Sequence, residues 1–295
     1  MRIAKAHGLG NDFLLVQEAE APPDPSAWAR RLCDRHTGMG ADGVLLYRDA
    51  DGGVRMRLIN ADGGEAEISA NGLRCLAAYR MRAGAVAARH VVVTGAGPRE
   101  AVVEPLGSER FRVVTNLGAP ILHSTGIPVD LQPQASRVID HWLDLGAPGA
   151  LVAGRGPDDP MAGREVSITA TSMGNPHCAV FLDTPADDGL LSTLGPALER
   201  HPFFPRRTNV EFITVLSRDR LRVRFWERGV GYTRASGTGA ASAAVASIIT
   251  DRADRELTVE CDGGDLTVAW PEGGTVQQTG EVEVLFEGDW VGPAA

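Results

Sequence analysis

Apolar and polar positions alternate with a period of two in Val54-Arg55-Met56-Arg57-Leu58-Ile59 and again in Leu221-Arg222-Val223-Arg224-Phe225, the pattern of strands with one buried face. Residues 91–116 and 257–287 read as further strands broken by Gly-rich turns. Helical spacing is rarer. Asp24-Pro25-Ser26 signals the start of a helix carrying Trp28 and Leu32 at i and i+4, with a stop near Gly38. Ser69 opens an apolar helix with Leu73, Leu76 and Ala77, and Ser236 opens an Ala-rich one that runs through Ile249. The Pro/Gly-rich tract 118–164 reads as an irregular connection between two halves, with a short helix at 138–145.

The punctuation of the first half returns in the second. Gly10-Asn11-Asp12-Phe13 matches Gly174-Asn175-Pro176-His177. Asn60 ends an alternating strand nine residues before Ser69, and Glu227 ends another nine residues before Ser236. Asn11 and Ser69 are 58 residues apart, Asn175 and Ser236 61. Such ordered coincidences predict a duplicated unit, each half being strands around one central helix. Two helix N-termini would then offer unpaired N–H groups and positive dipole ends, natural seats for a carboxylate. Facing each other across one cleft, they would have the geometry for taking a proton from one face of a carbon and returning it to the other.

Composition narrows the function classes. At 295 residues there is room for about two domains. Apolar content is 43% and charged content 23%, an ordinary globular balance, and no apolar run approaches the roughly 18 residues of a membrane span. Met1-Arg2-Ile3-Ala4-Lys5 runs straight into patterned sequence without the apolar segment of a signal peptide, so a cytoplasmic protein is expected. A net charge of −9 without a basic stripe argues against nucleic acid or an anionic membrane as partner. Cys33, Cys75, Cys178 and Cys261 are too far apart for a metal or redox pair, so no metal is expected and each reads as a small buried hydrophobe. Lys5 is the only lysine. A phosphate loop is therefore absent, a Schiff base with pyridoxal phosphate could form only there, and no cofactor is expected.

His7-Gly8-Leu9-Gly10-Asn11-Asp12-Phe13, Asn60-Ala61-Asp62-Gly63, Asn71-Gly72, Met173-Gly174-Asn175-Pro176-His177-Cys178, Glu227-Arg228-Gly229 and Ser236-Gly237-Thr238-Gly239 together resemble the diaminopimelate epimerases, and the likeness covers nearly the whole chain in order. That resemblance implies an α+β fold of two pseudo-symmetric domains, each with strands wrapped around a central helix and the active site in the cleft between them. The N-terminal domain would be 1–117 plus a final strand at about 281–288, and the C-terminal domain 118–280. It also implies a pyridoxal-independent isomerase of lysine and cell-wall precursor synthesis acting on a small amino acid, and a homodimer. By the family pattern Asn11, Asn60, Asn175, Asn209, Glu227 and Arg228 would hold the non-reacting end of the substrate. Arg228 suits a carboxylate, Glu227 an ammonium, and the amides either partner. Backbone N–H groups at Ala70-Asn71 and Gly237-Thr238 would hold the carboxylate at the reacting centre.

The chain departs from that pattern where the chemistry is done. The family's two catalytic residues are cysteines, and Ser69 and Ser236 stand at those positions; Ala70, Tyr232 and Gly43 are further departures. A serine hydroxyl is far less acidic than a thiol, and each added pKa unit costs roughly 1.4 kcal/mol to reach the basic form. Cys75, six residues beyond Ser69, lies past the positive end of the helix. Ser69 and Ser236 therefore read as helix caps and as candidate proton carriers, assisted by the dipoles and by His177 or Glu227 as base. A dehydratase or racemase acting on another amino acid, and a catalytically silent amino-acid binder, stay open as alternatives.

Overall fold

Alternation makes strands, and the turns between them fix how they pair. β1 (Arg2–Gly8) and β2 (Asn11–Gln17) form an antiparallel hairpin whose turn places Leu9 at φ 56° and Gly10 at φ 83°, a left-handed pair that glycine accommodates readily. α1 (Pro25–Cys33) then leads to β3 (Gly43–Ala50), β4 (Gly53–Asn60) and the short β5 (Glu65–Ala66). α2 (Ala70–Arg82) is followed by β6 (Arg89–Thr94), β7 (Gly97–Pro105) and β8 (Arg110–Gly118). The computed structural model describes residues 1–51, 53–131, 136–146 and 165–292.

The second half runs β9 (Val138–Asp144), β10 (Glu165–Ser172), β11 (Pro176–Phe181), α3 (Asp188–Glu199), β12 (Asn209–Ser217), β13 (Arg220–Glu227) and β14 (Gly231–Thr233). α4 (Gly237–Ile249), β15 (Glu256–Cys261), β16 (Gly264–Ala269) and β17 (Val276–Asp289) complete it. The fold is α+β, and the chain divides into Met1–Leu117 with Gln277–Ala295, and Gly118–Val276.

In the first unit β1, β2, β3, β4, β6, β7, β8 and β17 pair in that order, and β17 returns to β1, so eight strands close into a ring. Closure removes the exposed edge that an open sheet would carry. The parallel pair β4 and β6 is joined through α2, which lies inside the ring. Leu73, Cys75, Leu76, Ala77 and Ala78 are wholly buried, and all eight strands contribute to the cluster around them: Ala6, Phe13, Leu45, Met56, Val92, Val103, Phe111 and Val282. A helix apolar on every side is the kind that only full enclosure can hold. α1 covers the other face, where Trp28 and Leu32 pack with Leu14, Val16, Val44 and Leu46.

The second unit repeats the plan. β11 and β12 are parallel, as are β2 and β3, and β13 and β15 are parallel, as are β4 and β6. α4 is buried from Gly237 to Ser247, and α3 packs Leu191, Leu194 and Leu198 against Val180, Val210 and Phe212. No helix among the described residues is long and apolar enough to cross a membrane.

Two expectations need correction. The short helix at 138–145 is a strand: β9 pairs antiparallel with β10, and a register shift between Ile168 and Ala170 accompanies Asp140 at φ 45°. That bulge breaks the alternation that would have marked a strand. The first helix stops at Cys33, not near Gly38, because Asp34 turns extended and its carboxylate accepts from the backbone of His36 (2.9 Å) and Thr37 (2.6 Å). Of the expected irregular tract at 118–164, residues 132–135 and 147–164 lie outside the described residues.

Leu76→Ala, at the centre of the ring, should destabilise the protein by about 2–5 kcal/mol, whereas Leu106→Ala on the surface should change stability by less than about 0.5 kcal/mol. Urea unfolding midpoints at constant m-value would read both.

Candidate active site

The two central helices begin in the same way. Ser69 has φ −128° and ψ 122° and its Oγ accepts from Gly72 N at 3.1 Å; Ser236 has φ −132° and ψ 123° and its Oγ accepts from Gly239 N at 3.2 Å. Each serine is thus an N-cap that satisfies one of the orphaned N–H groups. The residue three beyond the cap is glycine for a steric reason: a Cβ on Gly239 would stand 2.9 Å from both Ser236 Oγ and Phe225 Cδ1. In the first unit the N–H groups of Ala70 and Asn71 are left without an acceptor among the described residues, at the positive end of the dipole.

Asn11, which opens β2, and Asn175, which immediately precedes β11, each reach the second residue of their unit's central helix. Asn71 Nδ2 donates to Asn11 Oδ1 at 3.1 Å, and Asn175 Nδ2 donates to Thr238 Oγ1 at 3.3 Å. Asn11 Nδ2 in turn donates to Asp42 Oδ2 at 2.7 Å, and Asn71 Oδ1 accepts from the buried Arg74. Asp12 beside them pairs with Lys5 at 2.9 Å and Arg35 at 2.8 Å; burial works against its charge, but hydrogen bonds from Arg35 and Lys5 hold its carboxyl below the usual range. Lys5, with a further bond to Gly40 O at 2.6 Å, is committed to this ion pair.

In the second unit Asn175 Oδ1 lies 2.9 Å from His177 Nε2, and His177 Nδ1 lies 2.7 Å from Glu211 Oε1, with both side chains buried. Burial pushes the Glu211 carboxyl up, against the pull of His177. Burial also pushes Glu227 up, opposed by a hydrogen bond with Ser236 and by the charge of His177. A carboxyl raised by burial beside the capping hydroxyl is a stronger proton acceptor than an ordinary surface glutamate. The equivalent position at the end of β4 is Asn60, so the two units carry an acid in one and an amide in the other at this place.

Other expected site residues are placed as follows. Asn209 is used by the fold: its Nδ2 donates to Pro176 O at 2.9 Å and its Oδ1 accepts from Arg228 N at 3.0 Å. The Arg228 guanidinium touches Arg206 O at 3.3 Å and pairs with no carboxylate among the described residues. Tyr232 donates its hydroxyl to Asp262 at 2.8 Å beneath Arg224, and a Cβ on Gly43 would meet Ile59 O at 3.0 Å, so a longer side chain needs the backbone to shift. All four cysteines are free and buried. Cys75 has its thiol pushed up to about 12 by burial, which leaves it inert as a base. Among the described residues no group of His, Cys, Asp and Glu is arranged to hold a metal. Glu211, Arg74 and Asp42 were not foreseen. The signal for the first two was a charged residue inside an apolar run, in Val210-Glu211-Phe212 and Leu73-Arg74-Cys75.

A family profile described as diaminopimelate epimerase matches residues 3–122 and 169–285. Among curated relatives, the diaminopimelate epimerase of Desulforudis audaxviator is 43% identical, covering 99% of both chains, and that of Pelotomaculum thermopropionicum is 42% identical, covering 98% of this chain and 99% of its own. Among solved structures, a predicted epimerase from Pseudomonas aeruginosa superposes with a TM-score of 0.68 at 16% identity over 99% of each chain. A probable proline racemase from Agrobacterium radiobacter gives the same TM-score at 14% identity over 98% of this chain and 92% of its own. These structural likenesses establish the fold.

Ser69→Ala and Ser236→Ala should each cost about 1 kcal/mol of stability through loss of the cap, read by thermal or urea unfolding. A carboxyl whose folded-state pKa is raised favours folding while protonated and opposes it as pH climbs through the raised value. Glu227→Gln should therefore stabilise the fold at mildly alkaline pH, and the gain should vanish as pH falls into the ordinary glutamate range. A gain independent of pH would assign the effect to packing.

Proposed function

We propose, from the premise that this chain belongs to the diaminopimelate epimerase family, that it removes and returns the α-proton of an amino acid carrying a second charged end, with LL- and meso-diaminopimelate as the substrate pair. As a member it is an isomerase of the amino-acid epimerase type. The reading makes it a cytoplasmic homodimer in lysine and cell-wall precursor synthesis that needs no cofactor. The observation that carries it is the matched pair of helix ends: Ser69 with Asn11–Asn71, and Ser236 with Asn175–Thr238.

In this reading the capping serines take the roles the family gives to two thiols. Ser236 passes a proton to Glu227, whose raised pKa suits it to be the base that the hydroxyl itself cannot be. Ser69 serves the return of a proton, and the N–H groups at Ala70-Asn71 and Gly237-Thr238 stabilise the carboxylate as it gains enolate character. Arg228 and Asn60 meet the distal end, since the amides of Asn11, Asn71 and Asn209 are already engaged within the fold. The hydroxyl at both catalytic positions supports one rival, a pocket that binds amino acids without turning them over.

Incubation with LL-diaminopimelate in D₂O should place deuterium at the α-carbon and yield the meso isomer, read by mass spectrometry. The double variant Ser69→Cys with Ser236→Cys should raise kcat/KM by about 10²-fold or more, the scale of a positioned acid–base pair. Ligand-induced thermal stabilisation without any exchange, in both proteins, would leave only the binder.

A further inference from the structure

Hydrogen-bond chains of different origin feed the second residue of the two central helices. In the first unit the chain starts at Arg74, passes through Asn71 and Asn11, and ends on Asp42. A guanidinium only donates and a carboxylate only accepts, so its direction is fixed. In the second unit the chain contains an imidazole. His177 Nε2 stands 2.9 Å from Asn175 Oδ1, an oxygen that only accepts, so Nε2 carries the hydrogen. Asn175 then turns its Nδ2 to Thr238 Oγ1 at 3.3 Å. A hydroxyl that accepts from Asn175 keeps its own proton for another acceptor.

What decides the state of Nε2 is the other side of the ring. His177 Nδ1 lies 2.7 Å from Glu211 Oε1, both residues are at most 1% exposed, and Glu211 Oε2 is buried with no partner. If the pair holds a shared proton, on Nδ1 or on Oε1, then Nε2 is N–H in either form. If the pair gives that proton up, Nδ1–H points at the carboxylate and Nε2 is bare. Asn175 then turns over to donate to it, and its carbonyl takes the Thr238 hydroxyl proton. Glu227 on β13 is the other charged group facing His177. From β10 its register partner is Thr171, whose hydroxyl is held by Ser242 of α4 at 2.5 Å.

We propose that the Glu211–His177 pair is the positioning element of the carboxylate subsite at the N-terminus of α4. While it holds a proton, the Thr238 hydroxyl donates to the substrate carboxylate; when the proton leaves, the chain reverses and an acceptor faces the carboxylate. The carboxylate part rests on the amino-acid substrate proposed above, whereas the direction of the chain needs no ligand.

The test has one arm without ligand and one with it. In the intact protein labelled with ¹⁵N-histidine, the His177 signals, assigned by their loss in His177→Phe, should show an Nε2 that carries hydrogen while the Glu211–His177 pair holds its shared proton and is bare once the pair has given it up as pH is raised. In Glu211→Gln, which has no carboxylate to ionise, Nε2 should not change over the same range. An Nε2 that stays bare, or stays protonated, over the whole pH course in the parent would overturn the proposal. In the second arm the Kd for meso-diaminopimelate, measured by calorimetry, should weaken about 10-fold or more between about pH 6 and about pH 9 in the parent, beyond the change in Glu211→Gln and in Thr238→Val. Parallel pH courses in all three proteins would overturn the link to Thr238. No binding in any of them, with the expected imidazole titration, would sink the substrate reading and the carboxylate part with it, leaving the reversible chain standing.

Discussion

A helix enclosed by strands on every side has only its ends through which to meet anything polar. The interior of the first ring is aliphatic and aromatic, and α2 presents it with a surface that is apolar all round from Leu73 to Ala78, Arg74 excepted. The backbone satisfies itself along the helix, but the first N–H groups cannot, and burying them unpaired would cost as much as losing hydrogen bonds. Ser69 and Ser236 answer that demand for one group each; in the first unit the N–H groups of Ala70 and Asn71 then define a place where an anion is welcome. Site and fold therefore share a cause: enclosure of the helix makes its N-terminus both a structural liability and a chemical resource.

On this repeated frame the two units carry different side chains. Phe13 of the first corresponds to His177 of the second, Asn60 to Glu227, and Arg74, five residues after its cap, to Ala241. One helix end is thus tied to a fixed donor and a fixed acceptor, Arg74 and Asp42, and the other is surrounded by Glu211, His177 and Glu227. A duplicated backbone with divergent substituents gives two equivalent helix ends different surroundings without changing its geometry.

Local signals carried much of this into the sequence. Both caps and both central helices are short-range features, visible in Ser69 and Ser236 with the apolar runs that follow, and the repeated Gly-Asn turns mark equivalent places. The sequence missed what depends on partners far along the chain. β9 has an irregular apolar pattern because of the bulge at Asp140, and only β10, beyond a long intervening tract, makes it a strand. Glu211 and His177 lie on strands separated by α3, and nothing local states that parallel pairing brings them within 2.7 Å. The family resemblance supplied the family, the fold class and the type of reaction. It did not supply Glu211, Arg74 or Asp42, because no motif contained them.

The burial of every cysteine has a consequence for chemistry in the cell. Sulfur is the usual entry point for peroxide, for nitrosylating agents and for electrophiles, and all of these need an accessible thiolate. Here Cys33, Cys75, Cys178 and Cys261 are between 0% and 5% exposed, and the two helix ends present oxygen instead of sulfur. With no cysteine more than 5% exposed, such reagents meet no accessible cysteine sulfur and react there only where the structure first opens.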